Sequence, residues 1–98
     1  MSTTDKKKLV VVVPFLNEEE NLPVLYERLA KAMEGQPESW DLLFVDDGST
    51  DRSPQWVAEK AAQDSRVRML RLSRNFGHQI AITAGLDCAD GDAVVIMD

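Results

Sequence analysis

Asp46 and Asp47 stand side by side directly after the apolar run Leu42-Leu43-Phe44-Val45, and Gly48-Ser49-Thr50-Asp51 follows them. Crowded carboxylates repel, and they persist where a hydrogen-bond donor or a cation binds. Asp, Gly and Ser are also ordinary turn formers, and Asp51 or Ser53 can cap a following helix. A calcium loop is a poor match, because the alternating acids and the closing glutamate are missing. The same arrangement, an apolar run ending in polar groups, occurs twice more. Residues 10–13 lead through Pro14, Phe15 and Leu16 to Asn17-Glu18-Glu19-Glu20, and residues 93–97 lead to Asp98.

The first of these turns is not glycine-rich, and neither G-x-G-x-x-G nor G-x-x-x-x-G-K-[ST] occurs in the chain. A pyrophosphate there would face up to three carboxylates, each pair within about 4 Å costing several kcal/mol at a surface-like dielectric. The turn suits a neutral base or sugar that donates N–H or O–H groups. Equally, Glu18–Glu20 can simply complement a helix dipole. Ser73-Arg74-Asn75-Phe76-Gly77-His78 offers an arginine and backbone N–H groups near Gly77 for a phosphate. His78 is a candidate ligand or proton donor, or a plain first-turn residue. Asp98 is an oxygen ligand of the kind Mg2+ and Mn2+ prefer, and such a cation would let an acidic site handle an anionic donor.

These groups meet only if the apolar runs are strands of one sheet. Residues 9–13, 40–45, 67–72 and 93–97 are expected to be strands. The runs 9–13 and 42–45 are apolar on both pleat faces, as in a parallel sheet covered on both sides. Alternating arginines make residues 67–72 an edge strand. Pro14 is expected to end the first ladder. The first helix is expected to start near Asn17 or Asn21, with Asn17 and Glu20 at capping-box spacing and Pro23 in the first turn. Leu22, Leu25, Leu29, Ala32 and Met33 form its apolar stripe, and Gly35 stops it. Ser53 is expected as the next N-cap, with Trp56, Val57, Lys60 and Ala61 towards the sheet in a helix running to about Gln63. The third helix, from about Gly77 to Ala89, is expected to bury Ile80, Ala81, Ala84, Gly85 and Cys88. The order βαβαβαβ with short loops predicts an α/β fold, a Rossmann-like parallel, doubly wound sheet with helices on both faces. In such sheets ligands bind at the carboxyl ends of the strands.

The chain has 98 residues and a net charge of −6, and no basic face for nucleic acid is apparent. One cysteine, Cys88, rules out an internal disulfide and suits a reducing compartment. No apolar run is long enough to span a bilayer. Residues 1–8 form a polar tail, and residues 9–98 form the expected domain. An apolar run ending at Asp98, without a turn or helix after it, suggests a domain cut short at that point.

Taken in order, Val11-Val12-Val13-Pro14 with Asn17-Glu18, then 45–51, Arg74-Asn75-Phe76-Gly77-His78, Ala84-Gly85-Leu86, and Gly91-Asp92 leading to Met97-Asp98 resemble the family 2 glycosyltransferases of the GT-A fold. Within them the chain is most similar to the polyprenyl-phosphate sugar transferases, the dolichyl-phosphate mannose synthase and bactoprenol glucosyltransferase type. The resemblance covers residues 9–98; its ordered set is specific, and no single piece is. It implies that Pro14, Phe15, Leu16, Glu18, Val45, Asp46 and Asp47 surround a nucleotide base and ribose. Arg74, Gly77 and His78 would lie near the donor. It also implies that Asp98 is the first acid of a D-x-D pair holding the diphosphate through Mg2+ or Mn2+. Relatives often carry an aromatic residue where this chain has Leu16.

The implied reaction is inverting transfer of a sugar from a UDP- or GDP-linked donor to a polyprenyl phosphate, in cell-wall or lipopolysaccharide synthesis. The implied setting is the cytoplasmic face of the membrane, with a homo-oligomer as one possible assembly. The acceptor oxygen is already ionised near neutral pH and needs little general-base help. The acceptor half would follow Asp98, so residues 1–98 alone are expected to bind donor poorly and catalyse nothing. A nucleotidyltransferase would want a glycine- and lysine-bearing first turn. A non-catalytic nucleotide- or metal-binding module is the rival from another class. A phospho-receiver would want its acidic pair after the first strand, where this chain has Pro14.

Overall fold

The computed structural model describes residues 8–35, 39–89 and 93–96, with the backbone alone at residues 78 and 93–95. The element order is β1 (Lys8–Phe15), α1 (Leu22–Met33), β2 (Ser39–Asp46), α2 (Ser53–Gln63), β3 (Val67–Arg71), α3 (His78–Cys88) and β4 (Ala93–Ile96). The four strands form one parallel sheet in the order β3-β2-β1-β4. The Rossmann-like expectation therefore holds, with β3 at an edge.

The unbroken apolar runs of β1 and β2 follow from burial on both faces. Val11, Val13 and Phe15 of β1 and Leu42 and Phe44 of β2 pack with Leu22 and Leu29 of α1 and Val57 of α2. The alternate residues Val10, Val12, Leu43 and Val45 pack with Ala81 of α3. Two helices thus cover one face and one covers the other, as strand periodicity requires when both pleat faces are apolar. β3 runs outward from β2, and α3 then carries the chain back across the sheet to pair β4 with β1. The winding reverses beside β1, which makes that point the topological switch.

Several local expectations change. Pro14 does not end the first ladder: it lies in register with Val45, and Phe15 with Asp46. The Phe15 carbonyl accepts the Asp47 N–H, so Phe15 directs its backbone groups at β2. By alternation Pro14 directs its own towards β4, where the described pairs end at Val12↔Ile96. The missing proline donor therefore removes nothing from the β1–β2 ladder.

The expected caps are also used differently. Asn21 occupies the N-cap position of α1 without a side-chain cap, and Asn17, at φ +54°, stands apart from the helix. The Asn17 Oδ1 instead accepts the N–H groups of Thr50 (2.8 Å) and Asp51 (3.2 Å). Arg52 occupies the N-cap position of α2, and the buried Ser53 hydroxyl accepts the Glu18 N–H at 2.8 Å. In α1, Ala32 is exposed, while Tyr26 and Ala30 pack against the core. In α2, Lys60 lies over the rings of Tyr26 and Trp56 at 4.7 and 5.5 Å rather than towards the sheet.

α3 buries Ala81 and Gly85, with Ala84 half-buried, whereas Ile80 and Cys88 are exposed. Gly85 explains the rotation, because a Cβ there would sit 2.5 Å from Val12 Cγ1 and 3.0 Å from Val45 Cγ2. The helix lies so close to β1 and β2 that only small residues fit beneath it.

Candidate functional site

The carboxyl ends of β1 and β2 and the loop before α3 converge on a cleft of about 640 Å3. Asp46 and Asp47 end β2 in different surroundings. The Asp46 side chain is fully buried, accepting the Ser49 N–H at 2.8 Å on Oδ1 and Arg71 Nε at 3.1 Å on Oδ2. The Asp47 carboxylate reaches into the next loop, where its Oδ1 accepts the Phe76 N–H at 2.9 Å. The Gly77 N–H lies 3.3 Å from Oδ1 and 3.2 Å from Oδ2. The donors that reconcile two adjacent acids are thus built into the chain.

Of the residues expected at a site, Pro14, Phe15, Leu16, Glu18, Asp47 and Gly77 line the cleft. Val45 is fully buried in the core beneath α3, and Asp46 is sealed by its own partners. The Arg74 guanidinium stacks 4.8 Å from the Phe76 ring centroid. Residue 78 begins α3, but the His78 side chain lies outside the described residues, as does Asp98. Among the described residues no group of three His, Cys, Asp or Glu side chains could hold a metal ion.

Sequence reasoning missed the rest of the lining. Val13, Leu22 and Leu25 form an apolar wall where α1 begins, Ala81 closes the α3 side, and Asn21 and Asn75 add amides. Leu22 and Leu25 had been visible only as a core stripe. Asn75 stood in the run Arg74-Asn75-Phe76-Gly77-His78 without a role of its own; its Oδ1 accepts the Gly77 N–H at 3.0 Å. Glu18, which accepts Asn21 Nδ2 at 2.7 Å, and Asp47 are the acids of the lining. An apolar slot with a few placed hydrogen-bonding groups suits a flat, partly polar ligand such as a nucleobase.

The glycosyl transferase family 2 model matches residues 10–98. The chain belongs to that family.

Within family 2, the chain is 50% identical over 88 residues to the uncharacterized glycosyltransferase YkcC of Bacillus subtilis (strain 168), an overlap covering 90% of this chain and 27% of that protein. It is 44% identical over 100 residues to the undecaprenyl-phosphate 4-deoxy-4-formamido-L-arabinose transferase of Proteus mirabilis (strain HI4320), across 100% of this chain and 31% of the relative. The chain therefore spans less than a third of the length of these curated family 2 relatives. Among solved structures, the mannosyltransferase PcManGT from Pyrobaculum calidifontis in complex with GDP-Man and Mn2+ superposes with a TM-score of 0.69. It is 25% identical and matches 93% of this chain and 27% of its own.

Proposed function

We propose that this family 2 chain forms the donor-binding part of an enzyme that transfers a sugar, with inversion, from a nucleoside-diphosphate sugar to a polyprenyl phosphate. The observation that carries the reading is the cleft at the switch point, with apolar walls and the Asp47 and Glu18 carboxylates on its lining. In this reading the base lies against Pro14 and Leu16, and a base N–H donates to Asp47. Oδ2 of that carboxylate retains acceptor capacity beside its contact to the Gly77 N–H. Glu18 faces the ribose hydroxyls. Gly77, Arg74 and His78 lie towards the diphosphate. Val45 and Asp46 act from beneath, as packing and as the anchor of the turn.

The acceptor class is supported by the undecaprenyl-phosphate transferase relative, and the nucleotide sugar by the GDP-Man complex of the Pyrobaculum enzyme. That complex also contains Mn2+, which supports a divalent cation as part of the reading. The described residues do not fit such an ion by themselves, since Asp46 and Asp47 already accept in-chain donors. In this reading the ion's ligand is Asp98. An ionised phosphate oxygen of the acceptor attacks the anomeric carbon, the bond to the diphosphate breaks, and the nucleoside diphosphate departs. No general base is required. Work at the cytoplasmic face of a membrane accompanies a polyprenyl acceptor; no helix among the described residues is long and apolar enough to cross one.

Calorimetric titration of UDP-glucose, GDP-mannose and ATP, with and without Mn2+, tests the donor half of this reading. Mn2+-dependent binding of one nucleotide sugar, weakened at least tenfold in Asp47→Asn, is the expected outcome. Equal affinity for ATP, or no nucleotide sugar binding in any condition, overturns it.

A further inference from the structure

The loop after β1 and the loop after β2 are cross-bonded by hydrogen bonds within the chain. Asn17 has φ +54°, a conformation in which asparagine is tolerated and most side chains are strained. Its N–H donates to Ser49 Oγ at 2.9 Å, and its Oδ1 accepts the N–H groups of Thr50 and Asp51 at 2.8 and 3.2 Å. The next two N–H groups continue the seam: Glu18 donates to Ser53 Oγ at 2.8 Å and Glu19 to Asp51 Oδ2 at 3.3 Å. Asn17 is not on the lining of the cleft, yet its neighbours Leu16 and Glu18 both are.

We propose that Asn17 is a positioning residue of the cleft. Its left-handed backbone turns the chain so that Leu16 and Glu18 reach the cleft. Its amide carbonyl clamps that turn to the loop that starts at Asp47. The clamp is made wholly within the chain. The further consequence, that donor affinity depends on a residue that never touches the donor, rests on the donor-cleft reading above.

The test compares Asn17→Gly, Asn17→Ala and Asn17→Asp in the same chain. Glycine keeps the positive φ and removes the acceptor; aspartate keeps both. Amide hydrogen exchange and resonance positions are read first, without ligand. In Asn17→Gly the Thr50 and Asp51 amides are expected to exchange at least tenfold faster, and the Leu16 and Glu18 resonances to move. The Val12 and Phe44 amides in the core should keep their protection, and Asn17→Asp should restore the Thr50 and Asp51 values. Exchange in Asn17→Gly equal to wild type overturns the clamp, as does failure of Asn17→Asp to restore it. UDP-glucose and GDP-mannose are then titrated with Mn2+. A fivefold or greater loss of affinity in Asn17→Gly, recovered in Asn17→Asp, is expected, and unchanged affinity beside lost protection overturns the positioning role. If the wild-type chain binds neither sugar nucleotide, the donor reading fails, and the exchange data alone decide the clamp. If Asn17→Ala does not fold, the glycine and aspartate variants carry the comparison.

Discussion

At Asp46 the carboxylate has no solvent contact and spends its two oxygens on the Ser49 N–H and Arg71. Replacing it with alanine leaves both donors without their acceptor, so Asp46→Ala is expected to lose about 1–3 kcal/mol of stability in urea denaturation. Asp64 is another acid with a structural role. Arg66 forms a fork to it, with Nε and Nη2 each at 2.9 Å, and Tyr26 Oη donates to it at 2.6 Å. The hydrogen bond from Arg66, helped by Tyr26 and opposed by partial burial, holds this carboxyl well below its ordinary value of 3.8. A depressed carboxyl contributes stability that is complete above the unfolded value and is lost as pH falls through the folded one. Urea midpoints should therefore drop as the pH goes below about 4. The drop should be shallower in Asp64→Asn, which is less stable than wild type at pH 7 and converges with it in acid. These partnerships were hidden in the sequence. Asp46 and Asp47 differ only by a neighbour's position, and Asn17 and Ser53 looked like helix caps because their partners lie more than thirty residues away.

Among the elements, β1, β2 and the three helices were legible because apolar period and punctuation agreed. The face of α3 was legible only in part: Ala81, Ala84 and Gly85 turn towards the sheet as expected, and Ile80 and Cys88 do not. Apolar side chains ring that helix, and only closeness to the sheet decides which of them turn inward; the answer is the smallest, Ala81 and Gly85. Gly85→Ala would drive a Cβ into Val12 and Val45, both stiff at χ1. A loss of about 1–3 kcal/mol is expected from such overpacking, partly relieved in the double variant with Val12→Ala. Gly48 is a harder constraint. At φ +89° its Cβ would lie 2.6 Å from the Asn75 backbone nitrogen, and backbone cannot swing aside. Gly48→Ala is therefore expected to displace the loop that carries Asn75 and Gly77, seen as shifted Phe76 and Gly77 amide resonances.

At the scale of the molecule, the sheet's carboxyl edge was legible before its strand order was. Adjacency of β2, β1 and β4 could only be supposed from the sequence; the observed order supplies it. The cleft's apolar wall was illegible because Leu22 and Leu25 serve core and cleft together. A net charge of −6 has a consequence for the proposed donor. Two phosphates should enter so acidic a chain only with a cation, so EDTA is expected to abolish nucleotide-sugar binding and Mn2+ to restore it in the same titration.

The strand order also bears on how the chain reaches this state. Among the described strands β4 follows the other three in sequence and pairs with β1, which precedes them. Contacts so far apart in sequence form slowly. During synthesis, one side of β1 must therefore wait, its N–H and C=O groups unmatched, until β3 and α3 have emerged and folded back. The waiting segment is Leu9-Val10-Val11-Val12-Val13, uncharged, β-branched after Leu9 and free of proline until Pro14. Such a segment can recruit a second nascent chain along that edge. Lys6, Lys7 and Lys8 lead into it, and like charges flanking such a segment disfavour that encounter by mutual repulsion.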